Sequence, residues 1–154
     1  MTDAKRPPVD IQVARPEDVP TCIDLAEAVI GGRRGGPLVQ AAVDRQQLLV
    51  AAADGEVVGT LAYRTDWFAC TFVTLVSVRP DRRRRGVARA LYQAVEEWSP
   101  SARLFSSAEE TNVAAIHFHR ALGFVISGYV DNLPQGYREL LFYKRLTSTL
   151  RATH

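Results

Sequence analysis

Four consecutive arginines, Arg82–Arg85, precede Gly86 where the amino-acid pattern changes from strand to helix. The segment before them, Thr71–Val78, is β-branched and apolar on both faces, which is typical of a buried strand. The segment after them, Val87–Trp98, has apolar residues at helical spacing. The first amides of such a helix have no intrahelical partner, and the helix dipole adds partial positive charge. The arrangement predicts a phosphate or pyrophosphate site.

The arginine run also has two simpler interpretations. As an isolated tetrapeptide, Arg82–Arg85 fits a solvated surface, where arginine side chains usually lie. It also fits a basic patch for nucleic acid. The formal net charge of the chain is only +2, and basic residues do not cluster elsewhere. We therefore expect neither nucleic acid nor a membrane as a partner.

The length and composition indicate one globular domain of ordinary type. The chain has 154 residues, of which 47% are hydrophobic and 23% charged. We expect the domain at 10–147, a disordered N-terminus at 1–9 and a tail at 148–154. The polar N-terminus is not a secretory signal, and no apolar run approaches the roughly 20 residues that span a bilayer. A cytoplasmic location and reduced thiols at Cys22 and Cys70 are the resulting expectations.

Apolar periodicity predicts the order strand, two helices, three strands, helix, strand, helix, two strands. This order is typical of an α/β protein with a mixed sheet. Asp54-Gly55 predicts a hairpin, and Gly123 a left-handed helix end. The predicted strands are Ile11–Val13, Leu48–Ala53, Val57–Arg64, Thr71–Val78, Leu104–Ser107, Phe124–Val130 and Glu139–Lys144. The first predicted helix begins at Pro16 and ends before Gly31. The other three predicted helices span Leu38–Gln46, Val87–Trp98 and Asn112–Leu122.

Two segments resemble motifs of the GNAT superfamily of acetyl-coenzyme A-dependent N-acetyltransferases. The first is the family's Val-x-Pro, Arg/Gln-x-x-Gly-x-Gly/Ala and helical Leu, matched by Val78, Pro80, Arg83, Gly86, Ala88 and Leu91. The second is the Asn-x-x-Ala-x-x-Phe-Tyr-x-x-x-Gly-Phe pattern, matched by Asn112, Ala115, Phe118, Gly123 and Phe124. The resemblance extends over Ile11–Lys144. It implies the GNAT fold, a central mixed sheet of about seven strands flanked by about four helices.

The resemblance implies acetyl-CoA as cosubstrate. We expect no metal, because the sequence has no cluster of metal ligands and no cysteine lies near His117 and His119. Main-chain groups of the strand end would bond the pantetheine arm, and the turn amides would hold the pyrophosphate. Asn112 would also meet the arm. The cofactor-binding residues implied in this way are Val76, Ser77, Val78, Arg83, Arg84, Arg85, Gly86, Val87, Ala88 and Asn112.

The mechanism implied by the resemblance is direct acetyl transfer to a primary amine of a small molecule or peptide, through a ternary complex. His119 stands where the family often has the tyrosine that protonates the leaving thiolate, and imidazole can donate a proton near neutral pH. A packing histidine is the alternative. Glu110 is the carboxylate that we expect to accept the amine proton, with Glu109, Asp66, Asp131 and Glu139 as other candidates.

The acceptor itself is not readable from the sequence. In this fold the loop Gly31–Pro37 and the connection Asn132–Tyr137 would flank its pocket, and the arginines Arg33 and Arg34 would favour a carboxylate or phosphate on it. Trp67, Phe68 and Phe72 could add aromatic surface. Alternatives to the enzyme are a catalytically silent acyl-CoA sensor and a basic nucleic-acid-binding domain. Dimers are common in the family, so a homodimer is also possible here.

Overall fold

The computed structural model of the protein describes residues 9–30 and 34–147. Its elements follow the predicted order. The helices are α1 (Val19–Ile30), α2 (Gly35–Asp44), α3 (Val87–Trp98) and α4 (Val113–Ala121). The strands are β1 (Asp10–Val13), β2 (Leu48–Ala53), β3 (Glu56–Trp67), β4 (Cys70–Val78), β5 (Arg103–Glu109), β6 (Val125–Val130) and β7 (Glu139–Arg145). The expectations for residues 1–8 and 148–154 lie outside the described residues, and Val9 is buried.

The seven strands form one sheet in the order β1-β2-β3-β4-β5-β7-β6. β4 and β5 are parallel, whereas β1 with β2, β2 with β3, β5 with β7 and β6 with β7 are antiparallel. The predicted mixed sheet is therefore confirmed, and the strand expected to be central, β4, occupies the fourth of the seven positions.

The described residues separate into two compact units. The N-terminal unit comprises 9–30, 34–64 and 74–98, and the C-terminal unit comprises 65–73 and 99–147. β3 and β4 each contribute residues to both units. No helix among the described residues is long and apolar enough to cross a membrane.

The core of the N-terminal unit lies between the sheet and the helices α1 and α2. Because apolar residues recur at helical spacing in both helices, each presents one apolar face to β2 and β3. A Cβ on Gly35 would lie 2.7 Å from the backbone nitrogen of Glu27, so the missing side chain allows α2 to approach α1. The core residues are Cys22, Ala26, Val39, Ala42, Leu48, Val50, Ala62 and Leu75.

The C-terminal unit is built on the pairing of β5 with β7 and of β7 with β6. In the first pair Phe105 faces Tyr143 and Ser106 faces Phe142. α4 packs on one face of these strands, where the His119 ring stacks on that of Phe142 with centroids 4.2 Å apart. Successive residues of a strand point to opposite faces, so Phe105 and Tyr143 lie on the face away from α4.

Most of the predicted bounds agree with the structure, and the exceptions have physical reasons. α2 begins at Gly35 rather than Leu38, because close packing on α1 overrides the low helix propensity of glycine. β3 continues to Trp67 rather than ending at Arg64, because a two-residue turn at Phe68 and Ala69 extends its hairpin with β4. The turn at Asp54-Gly55 and the left-handed Gly123, with a φ of 95°, are confirmed.

Candidate functional site

The turn between β4 and α3 contains two residues in the left-handed backbone region, which few residue types adopt. β4 ends where the Arg79 amide donates to the Val58 carbonyl oxygen at 2.8 Å. A 3-10 turn follows, and then Arg84 and Gly86 adopt left-handed φ values of 62° and 83°. Glycine accepts such a conformation readily, whereas for an arginine it costs about 1 kcal/mol or more. Strain of this kind is a reason to look for a function at the turn.

A group of amides at the start of α3 has no hydrogen-bond acceptor within the helix. The first hydrogen bond at that end joins the Ala90 amide to the Gly86 carbonyl oxygen at 3.0 Å. The helical amides before Ala90, those of Val87 to Arg89, therefore have no intrahelical acceptor. These amides and the positive end of the helix dipole lie at the same end of α3, where an anion can bind.

The arginines of the turn are unequally engaged. Arg79 pairs with Asp81 at 2.7 Å and with Glu56 at 3.1 Å. Arg82 lies 3.5 Å from Asp54, and the Arg83 side chain turns back to donate to the Val78 carbonyl oxygen at 3.2 Å. The remaining two cations, those of Arg84 and Arg85, form no hydrogen bond or ion pair with other described residues. Two positive charges are therefore available beside the outward amides.

Ser77, one of the predicted cofactor-binding residues, uses its side chain within the fold. Its buried hydroxyl donates to the Leu25 carbonyl oxygen at 2.7 Å. This hydrogen bond joins β4 to α1. Only its main chain remains for a ligand. The prediction for Val76, Ser77 and Val78 concerns main-chain groups alone, so this contact does not conflict with it.

Gly59 on β3 is a positioning residue that the sequence analysis missed. A Cβ at this position would lie 2.9 Å from Val87 Cγ1 and 3.4 Å from both Leu91 Cδ1 and the Ser77 carbonyl oxygen. The missing side chain therefore lets the first turn of α3 lie close to the sheet. The available signal was a glycine inside a strand pattern, which often marks a close approach.

Asn112 lies in the C-terminal unit, where it caps α4. Its Oδ1 accepts a hydrogen bond from the Ala115 amide at 3.0 Å, as asparagine commonly does at this position. The residue is exposed. The cap fixes the side chain at the first turn of the helix, and its role towards the cofactor stays a prediction.

The His119 side chain is 3% exposed and is bonded at both ring nitrogens. Nδ1 lies 2.7 Å from the Ala115 carbonyl oxygen and Nε2 lies 2.8 Å from Ser106 Oγ. A carbonyl only accepts, so Nδ1 carries the proton, and in the neutral ring Nε2 accepts from the serine hydroxyl. Burial lowers the pKa of His119, although the bond to Ala115 acts in the opposite direction. These contacts match the packing alternative; the role of proton donor stays a prediction.

Glu110 directly follows β5 and is held by Arg138. Its amide donates to the Arg138 carbonyl oxygen at 2.9 Å, and its carboxylate lies 3.6 Å from the guanidinium. The same guanidinium binds both oxygens of Asp131, at 2.9 and 3.2 Å, and lies over the ring of Tyr129. A proton acceptor at this position would work beside a fixed positive charge. The role of Glu110 as base stays a prediction.

The residues expected on the acceptor side lie in different surroundings. Arg33 lies outside the described residues, and Arg34 precedes α2 without capping it through its side chain. Trp67 and Phe72 stack on each other in the C-terminal unit. Across 9–30 and 34–147, no group of three His, Cys, Asp or Glu side chains could hold a metal ion.

Comparison with known proteins decides the family. A model described as the acetyltransferase (GNAT) family matches residues 24–124, which include both motif segments. The chain belongs to the GNAT acetyltransferase family. The resemblance inferred from Val78–Leu91 and from the Asn112–Phe124 segment is thereby confirmed.

Curated relatives of this GNAT chain include two from Pseudomonas. L-methionine sulfoximine/L-methionine sulfone acetyltransferases of Pseudomonas aeruginosa and Pseudomonas paraeruginosa are each 36% identical to it over 96 residues. The match covers 57% of this chain and 55% of either relative. The matched region thus spans about half the length of those proteins.

Solved structures agree on the GNAT fold. A GNAT-family acetyltransferase from Bacillus cereus ATCC 10987 has a TM-score of 0.82 and 31% identity, covering 91% of this chain and 99% of its own. The protein yncA of Salmonella typhimurium, whose structure contains its cofactor acetyl-CoA, has a TM-score of 0.75 at 18% identity. That match covers 93% of this chain and 96% of yncA, and it shows the fold alone.

Proposed function

We propose that the protein is an N-acetyltransferase that moves the acetyl group of acetyl-CoA to a primary amine. The observation that carries the proposal is the turn at the start of α3, where Arg84 and Gly86 are left-handed. Outward amides, a helix N-terminus and two unengaged arginines together suit the diphosphate of coenzyme A. Membership of the GNAT family supports the same cosubstrate.

The cofactor residues divide into main-chain and side-chain roles under this proposal. The Arg83 amide donates to the Pro80 carbonyl oxygen at 3.4 Å, so the amides from Arg84 to Ala88 are the ones proposed to bind the diphosphate. The side chains of Arg84 and Arg85 add charge. Main-chain groups of Val76–Val78 bond the pantetheine arm as a strand neighbour would. Asn112 contributes the part of its side-chain amide that the helix cap leaves unused.

The reaction is direct and needs no covalent enzyme intermediate. Acetyl-CoA, when bound, supplies an activated thioester carbonyl. The neutral amine attacks that carbonyl carbon, the carbon–sulfur bond breaks, and the thiolate leaves. A main-chain amide near Val76 stabilises the negative charge that develops on oxygen. The chain must also take one proton from the amine and return one to the thiolate, and Glu110 and His119 are the residues proposed for those steps.

A catalytically silent acyl-CoA sensor is the second candidate, and two contacts favour it. His119 is buried with both ring nitrogens hydrogen-bonded, and Glu110 is paired with Arg138. A sensor would retain the turn and lack a working acid and base. The nucleic-acid alternative gains nothing from the described contacts, because Arg82 and Arg83 are turned to acceptors within the fold.

Release of free thiol from acetyl-CoA separates the enzyme from the sensor. The purified protein is incubated with acetyl-CoA and a panel of amines, including L-methionine sulfone because the Pseudomonas relatives are named for it. Thiol release that depends on one amine, together with the acetylated amine in the mass spectrum, supports the enzyme. Tight acetyl-CoA binding without release with any amine contradicts the enzyme and supports the sensor.

A further inference from the structure

A row of four aromatic rings crosses one face of the C-terminal unit. Trp67 stacks on Phe72 with ring centroids 4.8 Å apart and planes 22° from parallel. The Trp67 ring also lies 5.0 Å from that of Phe105, which lies 5.2 Å from that of Tyr143. These spacings are those of favourable aromatic pairs. Trp67, Phe72, Phe105 and Tyr143 form the aromatic row.

The aromatic row lies on a face that the only described helix of its unit does not cover. α4 contacts the opposite face, through His119 with Ser106 and Phe142. Phe105 and Tyr143 are the strand neighbours of those two residues and therefore point the other way. All four rings of the row are only half-buried, so part of each ring is open to a ligand.

A further ring stands at the end of the row. Phe68 is 83% exposed and meets Trp67 edge to face, with centroids 4.8 Å apart. It occupies the turn between β3 and β4 with a φ of 52°, and Ala69 follows with a φ of 61°. Two-residue turns of this kind favour Asn-Gly, so an exposed phenylalanine here is held against backbone preference.

A carboxylate shares the face with the row. Glu139 Oε2 accepts a hydrogen bond from Ser107 Oγ at 2.8 Å, and Ser107 follows Phe105 by two positions on β5. Two positions along a strand correspond to about 7 Å. No lysine or arginine within the described ranges forms an ion pair with Glu139. A negative charge therefore lies about one short alkyl chain away from the rings.

We propose that this face binds the acceptor and that the acceptor is an arylalkylamine, an aromatic ring joined to a primary ammonium by about two carbons. The ring stacks on the aromatic row, and the ammonium bonds to Glu139. A carboxylate and an aromatic surface both attract a cation, so the charges are complementary. This inference rests on the proposed acetyl transfer, and it names the substrate class for that reaction.

Equilibrium binding tests the proposal without requiring turnover. Calorimetry of the full chain saturated with coenzyme A compares 2-phenylethylamine, n-butylamine and 2-phenylethanol. We expect 2-phenylethylamine to bind about tenfold more tightly than either of the others, because only it satisfies both the rings and the carboxylate. Equal affinities for 2-phenylethylamine and n-butylamine would overturn the proposal.

Two variants assign the parts of the site. Trp67→Leu is expected to weaken 2-phenylethylamine about fivefold to tenfold and to leave n-butylamine unchanged, whereas Trp67→Phe restores most of the loss. Glu139→Gln is expected to weaken 2-phenylethylamine by a similar factor and to leave 2-phenylethanol unchanged. Both variants must keep the wild-type affinity for acetyl-CoA, which also shows that they fold. Trp67→Leu with unchanged 2-phenylethylamine binding overturns the inference.

Thiol release separates this inference from the proposed function. Efficient turnover of n-butylamine or L-methionine sulfone, with no preference for 2-phenylethylamine in kcat/KM, retains the acetyltransferase and overturns the substrate class. Selective binding of 2-phenylethylamine with no thiol release from any amine retains the binding face and contradicts the enzyme. A higher KM for 2-phenylethylamine in Trp67→Leu, with kcat retained, supports both.

Discussion

The turn at the start of α3 and the segment around α4 differ in what they leave available for a ligand. At the turn, Arg84 and Gly86 are left-handed, and the first amides of α3 have no acceptor within the helix. The Arg84 side chain forms no hydrogen bond or ion pair with other described residues. Around α4, the polar side chains of interest are already bonded within the fold. His119 bonds a serine and a carbonyl, and Glu110 pairs with an arginine.

The two motifs therefore carry unequal information about chemistry. In the proposed function, the turn binds coenzyme A mainly through its main chain, so that role depends on backbone conformation and above all on the left-handed Gly86. The α4 segment contributes side chains, and the use of a side chain depends on neighbours that are distant in sequence. Substitutions that separate conformation from side-chain chemistry therefore test the comparison.

His119→Ala is expected to lower the free energy of unfolding by about 3 kcal/mol, because it removes a buried ring and its hydrogen bonds to Ser106 Oγ and to the Ala115 carbonyl oxygen. Urea denaturation measures the change. His117→Ala, at an exposed position of the same helix, serves as the control and is expected to change stability by less than about 0.5 kcal/mol. An unchanged midpoint for His119→Ala, with acetyl transfer abolished, would show a proton donor rather than a packing residue.

Gly59→Ala is expected to weaken acetyl-CoA binding about fivefold and to lower stability by about 2 kcal/mol. Its Cβ would lie 2.9 Å from Val87 Cγ1 and would push the first turn of α3 away from the sheet. Calorimetry and urea denaturation measure the two effects. Gly36→Ala adds a methyl group within α2 in ordinary contact, 3.6 Å from Glu27 Oε2. It is expected to keep the wild-type affinity and to raise stability by up to about 1 kcal/mol. Wild-type affinity in Gly59→Ala would contradict the positioning role.

Arg84→Gly is expected to raise stability by up to about 1 kcal/mol and to weaken acetyl-CoA binding several-fold. The substitution relieves a left-handed φ of 62° and removes one cation beside the amides. Gln46→Gly is the matched control, because Gln46 has a φ of 59° at the end of α2. It should be more stable with unchanged affinity. If Arg84→Gly raised both stability and acetyl-CoA affinity, or lowered both, the result would contradict the interpretation that the strained Arg84 conformation is kept for binding.

The pH dependence of stability gives the smallest effect. Burial lowers the pKa of His119 from its ordinary 6.5, so below that pH the unfolded chain binds more protons than the folded one. The contribution of His119 is present above about pH 6.5 and is lost as the pH falls below it. We expect wild type to lose more stability between pH 7 and pH 5 than His119→Gln. Equal losses of stability in the two proteins would contradict a contribution from the titration of His119.

The element order and the strand–turn–helix around Gly86 were predictable because local signals determine them. Alternating apolar residues, the Asp54-Gly55 turn and the glycine at Gly123 each act within a few positions of the chain. The turn at Phe68 and Ala69 was not predictable, because neither residue favours a left-handed φ.

The neighbours of His119 and of Gly59 were also hidden in the sequence. Ser106 lies thirteen positions before His119, and Val87 lies far beyond Gly59, so only the folded sheet shows these contacts. The same applies to the aromatic row, whose rings come from four strands. Local pattern therefore indicated the family, whereas the neighbours of the side chains proposed to act on the acceptor became visible only in the fold.

Calorimetric titration of acetyl-CoA into wild type, Gly86→Ala and Gly136→Ala tests most directly whether the turn at the start of α3 holds the cosubstrate. Both glycines are left-handed, with φ values of 83° and 85°, so the two substitutions impose similar backbone strain. Gly86→Ala is expected to weaken acetyl-CoA binding by about tenfold or more, whereas Gly136→Ala is expected to retain the wild-type affinity. Equal affinities in all three proteins, or no binding to wild type, would contradict the claim that the turn holds the cosubstrate.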